Sequence, residues 1–201
     1  MEEIYIFGHK NPDTDTILSA LILEAIEKTM GIYKTKAYRL GEVNKETQYA
    51  LDYFGVKAPE LLEEVEEGRQ VMLVDHNEFG QSVKGIEKAK IIRVVDHHKI
   101  ANFETKEPLF YMAMPVGCTA TILRDMCKVS GIKIDRVTAG LMLSAIISDT
   151  LLLKSPTTTE KDKETAEELA KIANVDLNAY GMDMLKAGTD LSDFTPEQLI
   201  N

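Results

Sequence analysis

Only four histidines occur in the chain: His9, His76, His97 and His98. Each lies just past a short apolar run, and the last three belong to Asp75–His76 and Asp96–His97–His98. The stretch Gly8–Thr16 adds two carboxylates, so that His9, Asp13 and Asp15 fall within seven residues, beside a Gly and a Pro that stiffen the turn. One imidazole with carboxylate oxygens suits a divalent ion such as manganese better than a soft thiolate site does. Taken alone, the same Asn, Asp and Thr residues serve equally well as turn formers and helix caps.

The placement of the other histidines shifts that balance. Histidines used as ordinary core or surface residues would be scattered among helices and loops. Here all four follow the ends of apolar strands, and in a parallel sheet those carboxyl ends share one edge. His9, Asp13, Asp15, Asp75, Asp96, His97 and His98 are therefore expected to be neighbours. Asp149 is a further candidate, near the C-terminus of an apolar helical run. There it opposes the helix dipole and is partly desolvated, and a cation in contact would reverse both penalties. By itself, a carboxylate escaping to solvent explains Asp149 as well. So many anionic groups exceed what one divalent ion can neutralise. Two ions sharing a carboxylate use them better, and a separation of roughly 3.5–4 Å is the usual arrangement for activating water and clamping a phosphoryl group. Asp75, from a central strand, is the natural bridge.

The elements that must carry these residues read as alternating strands and helices. Ile4–Phe7, Val71–Val74 and Ile91–Val95 are apolar throughout, as parallel strands covered on both faces are. Thr35–Leu40 and Leu109–Met114 are further strand candidates, ended by Gly41 and Pro115. Helical spacing predicts helices over Ile17–Met30, Asn44–Phe54, Thr119–Val129, Arg136–Ile147, Glu160–Ile172 and Ala179–Ala187. The acidic run Glu60–Glu67 reads as a solvated helix face. The pattern predicts an α/β domain with a five-stranded, mainly parallel sheet and helices on both faces. Its core spans residues 1–188, with 189–201 beginning a linker. Thr195–Pro196–Glu197–Gln198 is a good helix start, yet one turn is too short to stand alone. The tail either docks or frays, or the chain is cut from a longer protein, and the cut is the preferred expectation.

A formal net charge of −10 argues against a partner that tracks a broad basic surface, so no nucleic acid is expected. It leaves room for a small anion held by metals. Cys118 and Cys127 form no C-x-x-C motif, which points to two buried reduced thiols in a cytoplasmic protein. No apolar run approaches membrane-spanning length.

Asp96–His97–His98, with Asn11–Pro12–Asp13–Thr14–Asp15 and Asp75–His76–Asn77, resembles the signature of the DHH phosphoesterase superfamily. Within it, the stretches His9–Thr16, Pro115–Thr121, Ser148–Thr150 and Lys154–Thr157 are similar to family II inorganic pyrophosphatases, and the likeness runs over essentially the whole chain. The resemblance implies hydrolysis of pyrophosphate to two phosphates with two Mn2+ per subunit, Co2+ as a substitute, and Mg2+ arriving with substrate. It implies that His9 and Asp13 hold one metal, that Asp15, His97 and Asp149 hold the other, and that Asp75 bridges them. The catalytic weight then falls on His98, Asp75 and His97, with His98 touching substrate and protonating the leaving phosphate oxygen. Asp96 and His76 are expected behind the ligands as orienting groups.

The resemblance also implies a homodimer formed through this domain, and a second domain whose Arg–Lys–Lys segment grips the phosphates. No such segment is present here, so weak or absent turnover is expected of these residues alone. Tyr53–Gln70 runs through without the regulatory insertion some members carry. Two rivals are weighed: a DHH phosphodiesterase acting on short oligonucleotides or cyclic dinucleotides, and an inert metal-loaded dimerisation core.

Overall fold

Residues 2–189 are described by the computed structural model. The apolar runs form strands β1 (Ile4–Phe7), β2 (Thr35–Arg39), β3 (Glu60–Leu61), β4 (Gln70–Val74), β5 (Lys90–Asp96) and β6 (Phe110–Ala113). The helices are α1 (Thr14–Met30), α2 (Lys45–Phe54), α3 (Thr119–Val129), α4 (Arg136–Thr150), α5 (Glu160–Ala173) and α6 (Leu177–Gly188). All pairings are parallel, in the order β3-β2-β1-β4-β5-β6. From β1 the chain steps outward to β2 and β3, then returns to β1's other side through β4, β5 and β6. The reversal leaves a crevice between the carboxyl ends of β1 and β4, which is where open α/β sheets bind ligands.

The α/β class, the parallel sheet and the helix positions agree with the sequence reading, and two details differ. The sheet has six strands among the described residues rather than five. The additional one, Glu60–Leu61, falls in the acidic run read above as a helix face. The Leu61, Leu62 and Val65 spacing that mimics a helix arises because Glu60–Leu61 pairs with Tyr38–Arg39, while Val65 turns under the sheet and is buried. A two-residue, charged edge strand is a common way to blunt an exposed edge.

The second difference concerns the helical cover. Ile4, Ile6, Met72, Val74 and Val95 face the larger core, which all six α-helices share. Phe7, Val71, Leu73, Ile91 and Val94 face a smaller one closed by Val65, Val83 and Ile86. Crossovers of one hand that step across the sheet in opposite directions, as β1 to β2 and β4 to β5 do, put their connections on opposite faces. Among the described residues, the helices on the second face amount to two 3-10 turns, Phe79–Gln81 and Ile86–Lys88, within the β4–β5 connection. The helix start expected at Thr195 lies outside the described residues.

Helix α1 begins with Asp13 accepting a hydrogen bond from the Thr16 amide and ends at Gly31 in the left-handed conformation. Helix α4 is buried continuously from Ala139 to Ile147, because it packs between α1 and α5. Beyond it, Leu151, Leu152 and Leu153 have φ of 48°, 55° and 64°, a left-handed turn built from three non-glycine residues. Such a turn costs roughly 1–2 kcal/mol per residue and persists only where its surroundings enforce it. The Leu153 amide donates to Thr150 Oγ1, the Leu152 amide donates to the Ile147 carbonyl, and Leu152 is buried against Gly181.

Gly140 of α4 sits where a Cβ would lie 2.2 Å from the Phe54 ring. We expect Gly140→Ala to lower unfolding free energy by about 1–3 kcal/mol in a denaturant titration, with the metal centre unchanged once folded.

Candidate metal centre

The site is assembled at the crevice. The turn after β1 supplies His9, Asp13 and Asp15, the end of β4 supplies Asp75, the end of β5 supplies His97 and His98, and the last turn of α4 supplies Asp149. Donor atoms of His9, Asp13 and Asp75 lie within 4.8 Å of one another, and so do those of Asp15, Asp75, His97 and Asp149. A third such group is Asp75, His97 and His98. Asp75 belongs to all three.

Its two oxygens face different ways. Oδ2 is 3.5 Å from His9 Nε2, whereas Oδ1 is 3.3 Å from His97 Nε2 and 3.7 Å from His98 Nδ1. Each oxygen also accepts one threonine hydroxyl, Oδ2 from Thr16 at 2.6 Å and Oδ1 from Thr119 at 3.0 Å. The carboxylate is thus fixed while lone pairs remain for cations. Asp75 itself has φ 58°, the left-handed region. An aspartate tolerates that conformation better than most side chains, and strain of this kind clusters at functional sites. Thr16 reaches Asp75 only because residue 8 is glycine; a Cβ there would lie 2.5 Å from Thr16 Cγ2.

The other donors are held in the same manner. Asp13 Oδ1 accepts the Thr16 amide, leaving Oδ2 at 3.4 Å from His9 Nε2. Asp15 is fully buried; Ser19 Oγ donates to its Oδ1 at 2.6 Å and the Thr119 amide to its Oδ2 at 2.7 Å. His97 Nδ1 lies 3.0 Å from the Val116 carbonyl, so that nitrogen carries the hydrogen and Nε2 points to Asp75 and Asp149. A histidine oriented by a carbonyl at one nitrogen and open at the other is the usual state of a metal ligand.

The charges are poorly matched without a cation. Burial, and then Asp75, push the Asp15 carboxyl up to about 7. Burial, with Asp15 and Asp75 adding to it, holds Asp149 well above the carboxylate range. Burial works against the His97 imidazolium, but Asp75 and Asp15 outweigh it and push its pKa up to about 9. Hard oxygens and imidazoles, crowded until they hold on to protons, are a donor set that divalent cations would relieve.

His98 and His76 are used differently. His98 Nδ1 bonds Asp96 Oδ1 at 2.9 Å, while the side chain is half exposed. That hydrogen bond raises the His98 pKa. Asp96 is in turn held by Asn77 Nδ2 at 2.6 Å. His76 turns away, its nitrogens on the Val74 carbonyl and Ser82 Oγ, and burial lowers its pKa. The orienting role expected of Asp96 therefore acts on His98, whereas His76 makes its hydrogen bonds beneath the site.

Sequence reasoning gave no role to Thr16, Ser19 or Thr119, which fix the carboxylates. Ser19 stands four residues after Asp15 on one helix face, a signal that was available. The reach of Thr119 back to Asp15 and Asp75 spans too much sequence to be seen locally.

The profile of the DHH family, N-terminal domain, matches residues 3–146. The chain belongs to the DHH family. Over its whole length it is also similar to manganese-dependent inorganic pyrophosphatases. It is 57% identical over 202 residues to the Bacillus subtilis protein of that name. It is 60% identical over 200 residues to an Oceanobacillus iheyensis protein named as a probable member of the same group. The chain spans 65% of the length of these relatives. A Methanococcus jannaschii protein assigned to the family II inorganic pyrophosphatases superposes with TM-score 0.88 at 42% identity, over 99% of this chain and 66% of that one. An exopolyphosphatase-related protein from Bacteroides fragilis, 15% identical with TM-score 0.69 over 98% of this chain and 58% of that one, shares the fold.

The raised groups set a pH dependence. Both Asp15 and His97 hold protons more tightly in the folded metal-free protein than unfolded, so the stability they contribute falls as pH rises through about 7 and about 9. A cation must displace those protons, so its affinity rises over the same window. We expect the gap in melting temperature between manganese-saturated and chelator-treated protein to widen steadily from pH 6 to 9 in scanning calorimetry. A gap independent of pH would contradict this assignment.

Proposed function

We propose that this chain is the metal-binding catalytic half of a cytoplasmic, manganese-dependent inorganic pyrophosphatase. The observation that carries the reading is Asp75, whose two oxygens address separate donor groups, His9 with Asp13 on one side and His97 with Asp15 and Asp149 on the other. Bound there, two divalent ions would supply Lewis-acid polarisation of phosphoryl oxygens and a water of lowered pKa. Mn2+ is the resident metal in this reading, Co2+ a substitute, and Mg2+ enters with the substrate.

The chain's own residues do the rest. His98, with Nδ1 fixed by Asp96, offers Nε2 from a half-exposed ring and can hand a proton to a departing phosphate oxygen. Asp96 supports the protonated form, as the raised pKa of His98 requires. Thr16 and Thr119 keep Asp75 from rotating while charge shifts around it. Turnover by these residues alone is expected to be weak, because the donor groups are carboxylates and imidazoles with no Lys or Arg among them to stabilise transition-state charge.

The intact protein is read as a homodimer. Support comes from β6, the last strand of the sheet, which among the described residues pairs only with β5 and leaves Phe110 47% exposed. The cytoplasmic assignment is supported by two free, buried cysteines, Cys118 and Cys127. Among the described residues no helix is long and apolar enough to cross a membrane.

Calorimetric titration with Mn2+, followed by phosphate release from pyrophosphate and from a dinucleotide, tests the proposal. Two ions per chain and release from pyrophosphate alone are expected. Release from the dinucleotide alone would favour a phosphodiesterase, and no release with both ions bound would favour an inert core. Asp75→Asn should weaken Mn2+ binding by more than about 100-fold and reduce it to a single ion.

A further inference from the structure

Asp162 is fully buried, outside the donor set, and makes more hydrogen bonds than its local role needs. It is the third residue of α5, and with Thr159 it forms a capping box. Its Oδ2 accepts the Thr159 amide at 2.8 Å and the Thr159 hydroxyl at 2.6 Å. A capping box ends there, on the helix surface. Here the same carboxylate also accepts the Gly117 amide on Oδ2 at 2.8 Å and the Thr121 hydroxyl on Oδ1 at 2.7 Å, both from the segment that opens α3.

That segment holds the site from behind. Val116, just before Gly117, presents the carbonyl that fixes His97 Nδ1. Thr119, two residues after it, gives its amide to Asp15 and its hydroxyl to Asp75. One side chain from α5 thus grips the midpoint of a loop whose two flanks orient three of the proposed ligands. Burying a carboxylate among neutral donors is costly, and helix capping alone would not require it.

We propose that Asp162 is a positioning residue for the metal centre, acting through the Gly117 loop on His97, Asp15 and Asp75. The proposal rests on the metal-binding reading above. The conservative variant Asp162→Asn keeps the volume but sets an amide group against at least one N–H or O–H donor. Gly117→Ala approaches from the other partner, since its Cβ would lie 2.9 Å from Asp162 Oδ2 and 3.0 Å from Thr150 Cγ2, prising the loop away with the capping box intact. Asp176→Ala, which removes the N-cap of α6, controls for loss of stability alone.

Two readouts are taken on each full chain: Mn2+ affinity by calorimetry, and the hydrogen-bonded Nδ1 proton of His97 by proton NMR of the metal-free protein. Asp162→Asn and Gly117→Ala should weaken Mn2+ by about 10–100-fold and abolish or shift the His97 proton, while Asp176→Ala lowers the melting temperature and leaves both readouts unchanged. Folded Asp162→Asn and Gly117→Ala proteins with parental affinity and an unmoved His97 proton overturn the proposal. If Asp162→Asn does not fold, Gly117→Ala decides by the same two readouts. If the parent binds no Mn2+, the metal reading fails, and the His97 proton still tests the grip of Asp162 on the loop.

Discussion

Like charges held close together in a dry place are the constraint around which this domain is arranged. Asp15, Asp75 and Asp149 come from three separate elements; Asp75 makes Asp15 and Asp149 harder to ionise, and Asp15 adds to the effect on Asp149. A fold gains nothing from such a cluster unless a cation settles it. The price is met by the large core, in which α1 and α4 pack directly against each other and bring Asp15 and Asp149 to the same crevice. The structure therefore anchors Asp15 and Asp149 on helices that pack against each other, and burial leaves both carboxyls holding protons.

Rigidity at the site is achieved in layers. The carboxylates take hydrogen bonds from Thr16, Ser19 and Thr119, and His97 and His98 are set by a carbonyl and a carboxylate behind the ring. Behind that layer, Asp162 ties the loop before α3 to the start of α5. Each tier uses short side chains with few rotamers, so little conformational entropy is lost when the site is ordered. The topology contributes as well, because the crevice between β1 and β4 exists in any sheet of this strand order.

The sequence made the donor set legible because metal ligands are rare residue types in an informative place: four histidines, all after strands. For Asp149, position near the end of a buried helix left two readings open, and only the resemblance to a known family made it a ligand candidate. The edge strand Glu60–Leu61 was not legible, since its pairing with β2 depends on a neighbour far along the chain while its local spacing imitates a helix. The sparse helical cover of the second face escaped for a related reason. Loops with a few well-placed apolar residues, such as Val83 and Ile86, close a core without showing any periodicity. The threonines and Asp162 are common residue types with ordinary local roles, and only the tertiary fold gives them a second one.

The left-handed turn at Leu151–Leu153 bears on how this domain can vary over time. A helix that ends in a conformation its own residues disfavour cannot be lengthened or shortened by one position without releasing Leu152 from its seat against Gly181. Shifting α4 by a residue would also turn Asp149 by about 100° around the helix axis, away from its partners. Point substitutions on the exposed side of the turn are compatible with the site, but insertions and deletions are not. The turn acts as a length gauge, fixing where the helix stops and therefore where its last carboxylate points.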